Sequence, residues 1–97
     1  MLIIYLGSDY NLIKEYVKQE NELDASAIIV AHQGVYQLND IIDQYAKRPN
    51  IKVYALKRDL EASGLLSSFE NLSSIKIIDF DEFVTLSTQH VPSVTIQ

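Results

Sequence analysis

A three-layer α/β/α architecture around a mostly parallel, five-stranded sheet is what these 97 residues predict, and three observations carry the prediction. Five short apolar or β-branched runs recur along the chain: "LIIYL" (2–6), "SAIIVA" (26–31), "IKVYAL" (51–56), "SIKIID" (74–79) and "SVTIQ" (93–97). Segments with apolar residues at helical spacing separate them. The first two runs are continuous rather than alternating, as in parallel strands buried on both faces.

Each element has a local reason. Gly7 ends the first run, and Ser8 or Asp9 then caps a helix to about residue 20, with Leu12, Ile13, Tyr16 and Val17 as its apolar stripe. The polar "KQENELDAS" (18–26) closes that helix. After the second run and Gly34, the positions Val35, Leu38, Ile41, Ile42, Tyr45 and Ala46 predict an amphipathic helix. "RPN" (48–50) stops it, because a residue before proline avoids the helical region.

Asp59 is expected to cap a short helix after the third strand, with Gly64 at its left-handed end. Asp79 and Glu82 have capping-box spacing ahead of "FDEFVTLSTQ", which Pro92 ends before the last strand. No repeat or linker divides the chain, so residues 1–97 read as one domain.

Composition narrows the function classes. A net charge of −5 and scattered lysines and arginines argue against nucleic-acid binding by this chain alone. With no cysteine there is no disulfide, thiolate metal site, thiol nucleophile or persulfide on this polypeptide. "MLIIYLG" lacks the basic start and length of a signal peptide, and no run approaches a membrane span, so a soluble, cytoplasmic protein is expected. So small a domain leaves apolar surface for a partner.

Motifs of chemistry are sparse. The Walker and dinucleotide-binding glycine patterns are absent. The acidic cluster and lone aspartate of a phosphoacceptor receiver domain are also lacking, and no metal site or cofactor is implied. His32 ends the second strand and reads first as a partly buried histidine bonded to a loop carbonyl. His90 has an explanation in the helix dipole. In a parallel sheet "HQG" (32–34) and "KRD" (57–59) share one rim, so His32, Gln33, Gly34, Tyr36, Lys57, Arg58 and Asp59 are the candidate contact residues. Tyr5 and Tyr54 are expected in the core; Tyr16, Tyr36 and Tyr45 lie on or beside helix stripes.

The order of signals carries more than any one of them. A strand runs into "QGVY", a second carries "VYALKRDLEASGL", and the close reads "IKIIDFDEFVTLSTQH". From residue 26 onward this resembles the TusB/DsrH family of sulfur-relay subunits. The resemblance implies a DsrE/F-like fold and assembly with two sister subunits, TusC- and TusD-like, into a heterohexamer that passes persulfide sulfur between cysteines. That sulfur serves wobble 2-thiouridine in tRNA or, in related complexes, dissimilatory sulfur oxidation. The family's thiol positions do not carry over. The nearest counterpart of the sisters' cysteine is Leu56 to Arg58, and the first-helix cysteine of DsrH-type members falls in "NLIKEYVKQ".

The expectation is thus a non-catalytic subunit that supports sulfur transfer by its partners. A second reading is a self-associating small-ligand binder of the same fold, with a pocket near His32 and Tyr36. A third is an enzyme using His32 as general base, aided by Asp59 or Ser8.

Overall fold

The computed structural model describes residues 2–7, 9–17, 26–89 and 93–97. All five predicted strands are present: β1 (Leu2–Tyr5), β2 (Ser26–Val30), β3 (Ile51–Leu56), β4 (Lys76–Ile78) and β5 (Ser93–Ile96). They form one sheet in the order β4-β3-β2-β1-β5. Every pairing in it is parallel.

The helices are α1 (Ile13–Val17), α2 (Leu38–Ile41), α3 (Lys57–Ala62), α4 (Leu66–Phe69) and α5 (Phe80–Gln89). A 3-10 turn at Tyr10–Leu12 leads into α1, and the Asp9 carboxylate accepts the Asn11 N–H there at 3.1 Å, as an N-cap should. Ser8, the rest of the expected first helix, His90 and Pro92 lie outside the described residues. The helix expected over 35–46 is a composite. It starts earlier as 3-10 turns (His32–Gln37), passes through α2 and widens into a π turn (Ile42–Ala46).

Strand order dictates which face each helix covers. The steps β1 to β2, β2 to β3 and β3 to β4 all move the same way across the sheet. Right-handed crossovers therefore put α1, α2, α3 and α4 on one face, called the front. The return from β4 to β5 runs the opposite way and puts α5 on the back.

Burial agrees. Ile3, Tyr5, Ile28, Val30, Val53 and Ala55 project to the front against Ile13, Leu38, Ile41, Tyr45, Leu60 and Phe69. Their alternates Leu2, Ala27, Ile29, Leu56 and Ile78 project to the back, where Phe83 and Leu86 of α5 pack. The sheet spans roughly 19 Å at ~4.8 Å per strand, whereas one helix covers about 10 Å. Among the described residues the back layer is therefore about half complete, and Ile4 of β1 and Leu6 just beyond it are only partly buried there.

One of the expected caps is absent. Asp59 does not cap the helix after β3: α3 begins two residues earlier, with Leu56 at its cap and no side-chain cap bond. At α5 the Asp79 carboxylate accepts the Glu82 N–H at 2.8 Å, as predicted. Glu82 itself reaches Lys76, 3.3 Å away across the strand end. Gly64 has φ +76°, the left-handed helix end that its sequence position predicted.

Candidate functional site

The strand registers place Tyr5, Val30, Ala55, Ile77 and Ile96 in one row across the sheet. The residues that follow them form a single rim at the carboxyl ends, the usual ligand side of an open parallel sheet. His32 and Asp59, 27 residues apart in sequence, meet there, the His32 backbone N–H donating to Asp59 Oδ2 at 2.8 Å. Because α3 starts at Lys57, Asp59 stands in its first turn with its carboxylate free for this neighbour instead of for a cap.

The segment after β2 is clamped from beneath. The Tyr5 hydroxyl donates to Gln37 Oε1. Gly34 lies flat on the Tyr5 ring, where a Cβ would come within 2.7 Å of Cδ2 and 2.9 Å of the Tyr5 carbonyl oxygen. Burial holds the Tyr5 phenol neutral, with the Asp9 carboxylate adding to the effect, and pushes its pKa up to about 12. His32 takes φ +53°, a left-handed backbone rare for a residue with a side chain. The Asp59 carboxylate holds it there.

The candidate rim residues separate into layers. His32, Gln33, Lys57 and Arg58 are exposed and Asp59 is half-buried. Tyr36 is 68% exposed, the most open large apolar side chain among the described residues. Gly34 is buried, so it shapes the rim from below and offers no contact surface itself. His32 is exposed rather than partly buried, which corrects the expectation from its strand-end position. Asp59 contacts the His32 main chain, so it fixes the loop and does not orient the imidazole as a catalytic base. Lys57 lies 3.9 Å from Glu61 with both groups solvated, a pair worth little. Arg58 makes no ion pair among the described residues.

On the back of this rim, the incomplete α5 layer leaves a cleft of about 410 Å³. Ile4 of β1, Leu6 just beyond it, Leu56 of β3, and Phe80 and Phe83 of α5 supply its apolar lining. The two phenylalanine rings stack with centroids 6.0 Å apart and planes 11° from parallel. His32, Arg58, Asp59 and Thr95 supply its polar lining. The two expected core tyrosines diverge: Tyr5 is buried in front, whereas Tyr54 is only half-buried.

Sequence reasoning missed this cleft and the Tyr5 clamp. The cleft had a signal in the even-numbered residues of β1, which share one face, and in Phe80 and Phe83, one helical turn apart. The clamp had none, since it depends on a non-local approach between Tyr5 and Gly34.

Among the described residues no helix is long and apolar enough to cross a membrane. No curated protein matches the chain. The model of the family described as "DsrH like protein" matches residues 9–93, reaching back through the first helix beyond the stretch whose motifs carry the resemblance. Matched over most of its length, the chain belongs to the DsrH-like family.

Proposed function

We propose that this chain is a non-catalytic subunit of a sulfur-relay complex of the TusBCD or DsrEFH kind. One observation carries the reading: a member of the DsrH-like family that contains no cysteine. Persulfide transfer needs an exposed thiolate of low pKa as acceptor and donor. A chain without one contributes architecture and leaves each sulfur–sulfur bond to thiol-bearing DsrE/F-type sister subunits. The position nearest the sisters' cysteine falls in Leu56 to Arg58, where Leu56 is buried against the back layer and Lys57 and Arg58 are exposed cations.

The rim is the proposed contact surface. Tyr36 supplies a large apolar ring with a polar tip, the side-chain type enriched at interfaces. Lys57 and Arg58 add positive charge at the same rim on an otherwise acidic chain, and Gln33, His32 and Asp59 complete the polar border. Supported transfer ends either in thiolated wobble uridine of tRNA or in dissimilatory sulfur oxidation, in the cytoplasm.

The test is co-expression with the two cysteine-bearing DsrE/F-type subunits of the same genome, followed by intact-complex mass spectrometry and persulfide mapping. The expected result is a hetero-oligomer containing this chain, with labile sulfur on the sisters alone. Tyr36→Asp should weaken assembly. A lone homo-oligomer would favour the self-associating ligand binder instead. Covalently held sulfur on this chain would refute the role outright.

A further inference from the structure

The cleft behind the rim is a concave site, lined by apolar side chains that the proposed contact rim does not include. Its lining is divided: an apolar floor and wall from Leu6, Leu56, Phe80 and Phe83, and a charged mouth from Arg58 and Asp59. At about 410 Å³ it lies in the range of small-molecule pockets, roughly 300–1,000 Å³. Among the described residues no second helix covers it beside α5, so it is open to solvent.

The two charges at the mouth are both available. Arg58 makes no ion pair among the described residues, and its planar guanidinium suits a carboxylate. Asp59 spends one carboxylate oxygen on the His32 N–H and keeps the other. Both line the same cleft, so it offers an anion site and a cation site together. A simple carboxylate would meet attraction from Arg58 and repulsion from Asp59; an amine would meet the reverse. A ligand bearing both charged groups on one carbon satisfies both.

We infer that the cleft binds a free α-amino acid with a large apolar side chain. Its carboxylate pairs with Arg58, its ammonium donates to Asp59, and its side chain lies on Leu6 and Leu56 against the stacked phenylalanines. An aromatic side chain extends that stack. The site shares His32, Arg58 and Asp59 with the proposed contact rim, so it is tested on the free chain, where no partner covers them.

The experiment is amide NMR of the isotope-labelled full chain, titrated to about 20 mM with three probes that share the phenylethyl group. These are L-phenylalanine, phenylpropanoate (no ammonium) and phenylethylamine (no carboxylate). Saturable shifts are expected at Leu6, Ala31, His32 and Leu56, with L-phenylalanine tighter than either analogue by roughly tenfold, because each lost charge-assisted bond costs about that factor. Arg58→Gln should bring L-phenylalanine down to the level of phenylethylamine and leave phenylethylamine unchanged, in a chain whose spectrum shows an intact fold. Equal binding of all three probes, tighter binding of either analogue, or shifts confined to other surfaces would overturn the assignment. So would no saturable shift at all. None of those results bears on whether the chain joins a sulfur-relay complex, which co-expression reads separately.

Discussion

The front and back of this sheet are built from the same strands yet behave as different materials. Alternate residues of β1, β2 and β3 feed both faces, but four helices close the front and one ten-residue helix covers the back. The cause lies in topology more than composition. Ile28 and Ile29 are adjacent isoleucines, both fully buried, one under the front helices and one under α5. Two strands away from β4 the back layer runs out, and Ile4, the β1 neighbour of Ile29, is only partly covered. A single reversal of crossover direction thus produces both a closed core and an open cleft. The front is the closed core, and the back carries the open cleft.

Truncating equivalent residues on the two faces gives the largest contrast. Ile28→Ala removes a fully buried side chain from the closed front and should cost about 3 kcal/mol in denaturant unfolding. Ile4→Ala removes a partly solvated side chain beside the cleft, whose loss water can fill, and should cost about 1 kcal/mol. Equal costs would mean that the back face is as tightly packed as the front.

Alkaline titration probes the closed face through Tyr5. Its pKa is raised from 10.0 to about 12 by burial first and the Asp9 carboxylate second. Between those values the unfolded chain releases the proton while the folded chain keeps it, so the unfolded state is favoured. Stability supplied by the neutral phenol is whole below the unfolded value and is lost as pH rises from 10 toward 12. The loss should approach about 2 kcal/mol. Tyr5→Phe should remove most of that slope while costing about 1 kcal/mol at neutral pH through the lost bond to Gln37.

How far the sequence reveals this division depends on the range of the interactions involved. Continuous apolar strands and helical spacing are local patterns, and they located all five strands, the Asp79 cap and the left-handed Gly64. The shared rim of "HQG" and "KRD" followed from parallel strands alone, and the His32–Asp59 bond shows the two loops in contact. The cap assigned to Asp59 failed because a strand can pass directly into a helix without a side-chain cap, which local preference does not foresee. The cleft stayed hidden because it is a consequence of strand order. Periodicity says which residues face away from water, not how many helices lie on each side.

The cover on the back can itself be loosened. Asp79→Ala deletes the carboxylate that accepts the Glu82 N–H at the start of α5 and should cost about 1 kcal/mol. The exposed Lys76–Glu82 pair compensates little. Hydrogen exchange should quicken in the first turn of α5 while the front strands keep their protection. Uniform loss of protection across the sheet would mean that the two layers open as one unit.

The smallest effect lies at the seam between the faces. His32 carries a left-handed backbone, which costs a residue with a β-carbon about 1 kcal/mol relative to glycine. Glycine at this position relieves that strain but adds freedom to the unfolded chain, so the two terms nearly cancel. His32→Gly should therefore stabilise the fold by about 0.5 kcal/mol, within reach of paired thermal melts. His32→Ala keeps the strained backbone and the N–H that Asp59 accepts, and should leave stability nearly unchanged, since the imidazole is exposed. A stabilising glycine beside a neutral alanine would locate the cost of this position in the main chain, leaving the imidazole free to act at the rim. A large loss from alanine would instead make the ring part of the closed structure and move His32 from the recognition side to the packed one.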